Sequence, residues 1–357
     1  MTTDVSTCSV AVLIVCFNGR GHLAECLGSV TASLDGGLRR HVVVVDNAST
    51  DGSREFVRER FPEVELIESD SNLGFAGGNN LGWEEIRRRH PEVTYLALLN
   101  QDTRVESGWL RPLVEFLNSH SNAGAVQAKL MLHAEPHRIN TLGNRSHFLG
   151  FGFMTGYGEL DQGQHDRPQR VTFASGAAMM LRMELLEQVG LFDDEFFAYL
   201  EDAEIGWKLR QIGFATYLVP QSIVYHKHLP TVPYRHYYLL ERNRNLLLFT
   251  YYKRRTLLLL APALLLMEMG QWLFCLRHGL LRERMRVACY FLSPANLRRL
   301  WKSRRTARDR RLISDRDFLD DFSGRLEFEA VDNALLRYIG NPILAAYWFV
   351  ARRLIRW

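Results

Sequence analysis

The stretch Tyr95-Leu96-Ala97-Leu98-Leu99-Asn100-Gln101-Asp102-Thr103 decides how the rest of the chain is read. Five apolar or aromatic residues run directly into Asn, Gln and Asp. A short continuous apolar run of this kind suits a strand buried on both faces. Asp102 then stands just beyond the strand's carboxyl end, the edge at which ligands bind in open α/β sheets. A carboxylate there can hold a hard cation, and a hard cation can hold a diphosphate. The plain alternative is a turn or cap ahead of a helix over residues 106–118.

Upstream, residues 10–17 form an apolar, β-rich run closed by Asn18 and Gly19, and a helical pattern follows over 22–34. His41-Val42-Val43-Val44-Val45 reads as a second buried strand, closed by Asp46-Asn47-Ala48-Ser49-Thr50-Asp51-Gly52. A helix over 53–60 stops before Pro62. Residues 64–68 form a short strand, and 74–89 a Gly-rich turn entering a helix. Alternating strands and helices with short connections predict βαβ units and a mainly parallel sheet flanked by helices. Right-handed crossovers put the loops after the strands on one edge, so Asn18, Asp46 and Asp102 are expected near one another.

Downstream the pattern loosens. Strands are expected over 125–132, 173–181, 216–219 and 223–225, and helices over 183–189 and 201–212. Residues 133–170 show no clear period and are expected to form a functional loop on the acceptor side.

Charge divides the chain. Residues 1–228 carry 20 Lys or Arg against 29 Asp or Glu, a net of −9, whereas 229–357 carry 24 against 11, a net of +13. The two parts therefore face different partners, and a catalytic domain over 1–228 and a helical region over 229–357 are expected. The five cysteines are odd in number and lack ligand spacing, which argues for a reducing compartment and against a disulfide or zinc framework. The polar opening residues lead straight into a strand, so no signal peptide is read and the first part is expected in the cytosol.

The tail is basic and apolar. Residues 257–276 are interrupted only by Pro262, Glu268, Gly270 and Gln271, and they just reach the ~20 residues that span a bilayer. Glu268 in mid-span costs roughly 2.5–3.5 kcal/mol on insertion scales. A helix lying in the interface, or burial against the catalytic domain, are the alternatives. Residues 298–311 hold eight Arg or Lys in fourteen positions, a pattern that suits an anionic lipid surface. Nothing else resembles a nucleic-acid module, so no nucleic-acid partner is expected. Trp348, Phe349, Arg352, Arg353, Arg356 and Trp357 have the mixture typical of interfacial anchoring.

Three further clusters carry chemistry. The Asp46 carboxylate, set after a buried strand, can accept a hydrogen bond from a pyrimidine N3–H; a turn rich in turn-formers is the alternative. Asn72-Leu73-Gly74-Phe75-Ala76-Gly77-Gly78-Asn79-Asn80-Leu81-Gly82 brings backbone N–H groups to a helix N-terminus, a natural anion site. It is not G-x-G-x-x-G, which speaks against a dehydrogenase. Glu201, Asp202 and Glu204 crowd three carboxylates at a helix start, where one can hold a raised pKa and act as general base. Capping is the alternative. His226 or His228 could complete a metal site with Asp102.

In combination, Asp46-Asn-Ala-Ser-Thr-Asp-Gly-Ser, Asn72-Leu-Gly-Phe-Ala-Gly-Gly-Asn-Asn, Leu99-Asn-Gln-Asp-Thr and Gly190-Leu-Phe-Asp-Asp-Glu-Phe-Phe-Ala-Tyr-Leu-Glu-Asp-Ala-Glu-Ile-Gly-Trp-Lys-Leu-Arg resemble the family 2 inverting glycosyltransferases of the GT-A fold. The branch is similar to bacterial rhamnosyltransferases of O-antigen and cell-wall assembly. The resemblance covers residues 10–245. It implies a donor nucleotide site at Phe17, Asn18, Asp46, Asn47, Asn72, Gly74, Phe75, Gly78, Asn79 and Asn100. It implies Mg²⁺ or Mn²⁺ at Asp102 with His226, Asp202 as catalytic base, and an acceptor side with Gly176, Glu201, Trp207 and Arg210. Asn100 stands where many relatives have Asp, which leaves one strong metal carboxylate. Glu204 replaces a more usual Asp.

The implied partners are a dTDP- or UDP-sugar donor, with rhamnose expected, and a lipid-linked or surface glycan acceptor. The membrane surface is the third partner, met through the C-terminal region at the cytoplasmic face, with the protein peripheral, monotopic or spanning once near 257–276. Two alternatives stay open. One is a related transferase using a UDP-hexose or galactofuranose donor with a soluble or protein acceptor, its tail making homo-oligomer contacts. The other is a non-catalytic scaffold.

Overall fold

The computed structural model describes residues 8–227, 236–327 and 334–357. His228 lies outside them. The chain forms two compact units. The first holds Met1–Asn144, Met154–Leu209 and Phe214–Leu229; the second holds Arg145–Phe153, Arg210–Gly213 and Pro230–Trp357.

The first unit opens as β1 (Ser9–Cys16), α1 (Arg20–Ala32), β2 (Arg39–Asp46), α2 (Ser53–Arg60), β3 (Glu65–Glu68), α3 (Gly74–Arg89) and β4 (Tyr95–Asn100). β1 and β4 are buried almost throughout, as continuous apolar runs require in a sheet covered on both faces. β3, β2, β1 and β4 lie side by side and all pair in parallel. Gly82 lets α3 approach the sheet: a Cβ there would overlap the Leu13 side chain.

Beyond β4 come β5 (Thr103–Val105), α4 (Leu110–Ser119), β6 (Ala123–Leu132), β7 (Ile139–Thr141), β8 (Asn144–Ser146), β9 (Gly152–Met154), β10 (Gln169–Val171), β11 (Ala178–Arg182), α5 (Met183–Val189), α6 (Glu201–Gln211) and β12 (Ala215–His226). The main sheet runs β10-β12-β6-β11-β4-β1-β2-β3, with β5 on β12 and β7 on β6. β11 lies antiparallel between β4 and β6, so the sheet is mixed rather than uniformly parallel. A long connection without a crossover helix precedes β11, and a parallel strand needs such a crossover. Residues 133–170, without a readable period, contain four short strands. The two strand pieces expected over 216–225 are one strand, continuous past Pro220 through a register shift against β6.

Apart from the short β8–β9 pair, which falls largely within Arg145–Phe153, the second unit is helical: α7 (Tyr237–Tyr251), α8 (Arg254–His278), α9 (Leu281–Leu292), α10 (Pro294–Arg310), α11 (Asp315–Phe318) and α12 (Asn341–Leu354). Phe148 stacks on Trp348 at 4.9 Å between ring centroids. α8 is the one helix among the described residues long and apolar enough to cross a membrane, and only 11% of its most apolar window is buried. Its Glu268 does not stand alone. Arg284 of α9, 3% exposed at the side chain, pairs with both Glu268 and Glu241 of α7. The acid that disfavours a span is thus neutralised inside the helical unit.

Candidate functional site

Register decides where the first side chains fall. Cys16 pairs with Asp46 across β1 and β2, and Val15 with Asn100 across β1 and β4. Three adjacent parallel strands therefore end together, and the segments at 17–18, 46–52 and 100–102 share one edge. Gln101 ties two of them: it accepts from the Phe17 N–H at 3.1 Å and donates to the Phe17 carbonyl at 3.3 Å. Asn18 ties two others. Its N–H donates to Ser49 Oγ at 3.0 Å, and its Oδ1 accepts from Thr50 N–H at 2.9 Å. Phe17 remains 43% exposed, an aromatic ring available at the mouth of this edge.

Asp46 is 1% exposed. Its Oδ2 accepts from Arg54 Nη2 at 2.8 Å and from Ser49 N–H at 3.3 Å. Its Oδ1 is buried and has no hydrogen-bond partner among the described residues. A buried carboxylate oxygen without a donor is costly, so this atom is built for a donor that arrives from outside. Asn47 organises the next loop. It accepts from Leu73 N–H at 2.9 Å and donates to Gly74 O at 2.9 Å and Asn72 Oδ1 at 3.1 Å. Gly78 faces Val15 and Asn47, and Asn79 donates back to Phe75 O at 2.8 Å. Gly74 has φ +72°, and a Cβ there would overlap the Phe197 carbonyl. That carbonyl in turn accepts the Ala76 N–H at 3.0 Å. The start of α3 is thereby locked to the turn that precedes α6.

Asp102 and His226 meet for a topological reason. β5 pairs antiparallel with β12, with Thr103 opposite His226, and Asp102 Oδ1 lies 3.4 Å from His226 Nε2. Burial opposes the Asp102 charge, yet His226 beside it holds the carboxyl below its ordinary range. Asn140 Oδ1 sits 3.1 Å from His226 Nδ1 and Asn100 Nδ2 is 3.5 Å from Nε2. An imidazole that gives Nδ1–H to Asn140 presents Nε2 to the carboxylate, and an oxygen and a nitrogen so placed can share a cation. Adjacent octahedral positions at bonds of about 2.1 Å are about 3 Å apart, so this oxygen and nitrogen fit a divalent ion as neighbouring ligands.

The acid cluster sits at the start of α6. Phe197, Tyr199 and Leu200 have φ of +61°, +72° and +65°, a run of left-handed backbone that side-chain-bearing residues rarely adopt. Such strain persists where the surroundings enforce it and clusters at active sites. Glu204 is tied down by Lys208 at 2.9 Å and by Asp193 N–H at 3.1 Å. Glu201 is 7% exposed, and its Oε2 finds no hydrogen-bond partner among the described residues. Burial first, then the Asp202 charge, pushes its carboxyl well above the ordinary value. Burial also raises Asp202, to about 6, against the hydrogen bonds of the Ala203 and Gly176 backbone. Glu201 therefore keeps its proton while Asp202 ionises near neutrality. Gly176 lies between Asp202 and the Phe75 ring, and a Cβ there would press on Phe75 at 3.1 Å.

Phe17, Asn18, Asp46, Asn47, Asn72, Gly74, Phe75, Gly78, Asn79, Asn100, Asp102, Gly176, Glu201, Asp202 and His226 thus belong to one connected set in the first unit. Trp207, on α6 in the first unit, is 1% exposed. Arg210 belongs to the second unit, where it pairs with Asp321 at 3.0 Å. No local sequence signal marks Arg54, Gln101, Asn140 or the Phe197 turn as part of the site. Asn140 lies in the stretch without a period, and no propensity announces a positive φ at Phe, Tyr or Leu.

Known proteins place this arrangement. The family model of glycosyl transferase family 2 matches residues 11–190, half of the chain. The chain is 26% identical over 242 residues to an N-acetylglucosaminyl-diphospho-decaprenol L-rhamnosyltransferase of Mycobacterium tuberculosis, covering 63% of this chain and 76% of that protein. It is 25% identical over 179 residues to a low-salt glycan biosynthesis hexosyltransferase of Haloferax volcanii, covering 47% of this chain and 53% of that protein. Among solved structures, GalNAc-T7 with UDP, GalNAc and Mn²⁺ superposes with a TM-score of 0.56 at 17% identity, over 70% of this chain and 49% of that one. The chain thus spans about half the length of that neighbour, and the likeness is one of fold. A mixed α/β sheet of the GT-A type, bearing these motifs in this order, makes the chain a member of glycosyl transferase family 2, a glycosyltransferase.

Proposed function

We propose that the enzyme transfers a sugar, rhamnose as the first expectation, from a dTDP- or UDP-linked donor to a hydroxyl of a lipid-linked or surface glycan, inverting the anomeric centre. The observation that carries this reading is the orphaned, buried Asp46 Oδ1 on the same sheet edge as the Asp102–His226 pair. A uracil or thymine N3–H is the donor that Asp46 lacks. The glycine-rich start of α3 adjoins Asn47, next to Asp46, and that helix start is where a diphosphate belongs. When bound, Mg²⁺ or Mn²⁺ held by Asp102 and His226 supplies positive charge to the leaving nucleoside diphosphate.

The proton transfer falls to Asp202. Ionised above about pH 6, it accepts the proton of the acceptor hydroxyl. Glu201, kept neutral by burial, adds no second negative charge beside it. The hydroxyl oxygen attacks the anomeric carbon opposite the diphosphate, and inversion follows because no sugar–enzyme bond forms. The lipid-linked acceptor is supported by the name of the mycobacterial relative. Association with the cytoplasmic membrane face is supported by the exposed, apolar α8.

A thermal-shift screen of dTDP- and UDP-sugars with Mg²⁺ or Mn²⁺ tests the donor. Stabilisation by dTDP-rhamnose above that by UDP-hexoses supports the rhamnosyl reading. Stabilisation by UDP-galactofuranose or a UDP-hexose alone replaces it. Absence of any shift with every donor defeats the catalytic reading.

A further inference from the structure

In the second unit a cavity of about 640 Å³ opens between the end of α7, the start of α8 and α10. Its wall is cationic: Lys253, Arg254, Arg304, Arg305, Arg308 and Arg311 line it, with Trp301. Among the described residues, two carboxylates pair with these six cations. Asp315 is fully buried and bound by Arg311 at 2.5 Å, while the Lys253 N–H and the Thr256 hydroxyl both donate to its other oxygen. Asp309 meets Arg305 at 3.8 Å and Arg308 at 2.9 Å on the exposed rim. Against these two carboxylates, four positive charges are left over.

Three of these cations, Arg254, Arg304 and Arg311, are held in place. Arg311 donates to the carbonyls of Tyr251 at 3.0 Å and Ile313 at 2.9 Å, and Arg304 donates to the Phe249 carbonyl. The Arg254 guanidinium sits over the Trp301 ring at 5.4 Å. Burial, and then the Arg254 charge, pushes Arg304 below its ordinary pKa. Like charges fixed this close repel, and the arrangement is relieved by an anion. α8 starts at this cavity with Arg254 and leaves Leu258, Leu265, Leu266, Met269, Leu273 and Leu276 exposed. A ligand with a phosphate for the cavity and hydrocarbon for these leucines satisfies both.

We infer that the cavity binds the phosphate headgroup of an anionic membrane lipid, with its acyl chains along the exposed side chains of α8. The inference rests on the membrane-associated reading above. It adds a defined headgroup site to the general attraction of a basic tail for anionic lipid.

Co-sedimentation of the full chain with vesicles tests it. Arg305→Glu with Arg308→Glu reverses two rim charges that are 79% and 72% exposed, so the fold is retained. Wild-type protein is expected to bind phosphatidylglycerol–phosphatidylcholine vesicles, and the double variant at least tenfold less. Binding to pure phosphatidylcholine is expected to be equal in both. Equal binding of the two proteins to the anionic vesicles overturns the inference. Calorimetry with inorganic pyrophosphate separates the sources of phosphate. Millimolar binding supports the lipid; micromolar binding lost in the double variant assigns the cavity to a soluble anion and overturns the lipid. Turnover of a water-soluble acceptor is expected to be unchanged in the double variant. If neither protein transfers sugar while vesicle binding still follows the charge reversal, the proposed activity fails and the headgroup site stands.

Discussion

Asp102 Oδ1 and His226 Nε2 are 3.4 Å apart because Thr103 and His226 are register partners on antiparallel strands. If the pair holds a metal, Asp102→Ala and His226→Ala are each expected to weaken donor binding at least tenfold in the presence of Mn²⁺. Without metal they are expected to leave it unchanged. Calorimetry with and without Mn²⁺ checks this, and equal affinities in both conditions would refute the metal role.

Removing the base should separate binding from chemistry. Asp202→Asn is expected to lower turnover by about 10²–10⁴, the usual contribution of general base catalysis, with donor affinity retained. Near-normal turnover would assign the base elsewhere.

The same carboxyl sets a pH profile. Asp202 must be ionised to accept a proton, and burial raises its pKa to about 6. Turnover in the wild type is therefore expected to rise through about pH 6 and level off above it. A flat profile between pH 5 and 8 would contradict the assignment.

Stability should move the opposite way. A raised carboxyl pKa means the folded state binds the proton more tightly than the unfolded chain, so stability falls as pH rises from about 4 to 6. Asp202→Asn removes that loss. It is expected to stabilise the protein by about 1–3 kcal/mol at pH 8 and by less at pH 5. Melting curves at the two pH values provide the comparison.

Asp46 and Gly74 can be tested without an acceptor. Asp46→Ala is expected to weaken nucleoside-diphosphate binding by about 10–100-fold, the worth of a hydrogen bond to a charged group. Gly74→Ala meets both a left-handed φ and the Phe197 carbonyl. A cost of about 1–3 kcal/mol is expected, read as a lower melting temperature. Gly270→Ala, which has open space inside α8, serves as the control and is expected to raise stability by up to about 1 kcal/mol.

The early strands were legible because β1, β4 and the second half of β2 are apolar runs ended by Asn18, Asp102 and Asp46. The parallel order followed, since βαβ connections leave few choices. β11 escaped that logic. Nothing local tells a strand to enter antiparallel, and its small residues are set by its neighbours β4 and β6. Helix α4 was expected from residue 106 but begins at Leu110, because residues 103–105 are taken as β5 by pairing with β12. Asn140 was hidden in a segment whose order comes from packing.

The chain itself determined which chemistry was available: an acid after each of two buried strands, a glycine-rich helix start and three carboxylates at another. Residue type and strand ends fix these, and both are local. Tertiary structure alone decided how they differ. It left Asp46 Oδ1 without a partner among the described residues, set His226 against Asp102, and let burial raise the carboxyls of both Glu201 and Asp202, Glu201 the more strongly. Those properties depend on dielectric, register and distance between segments far apart in the chain, and no stretch of sequence carries them.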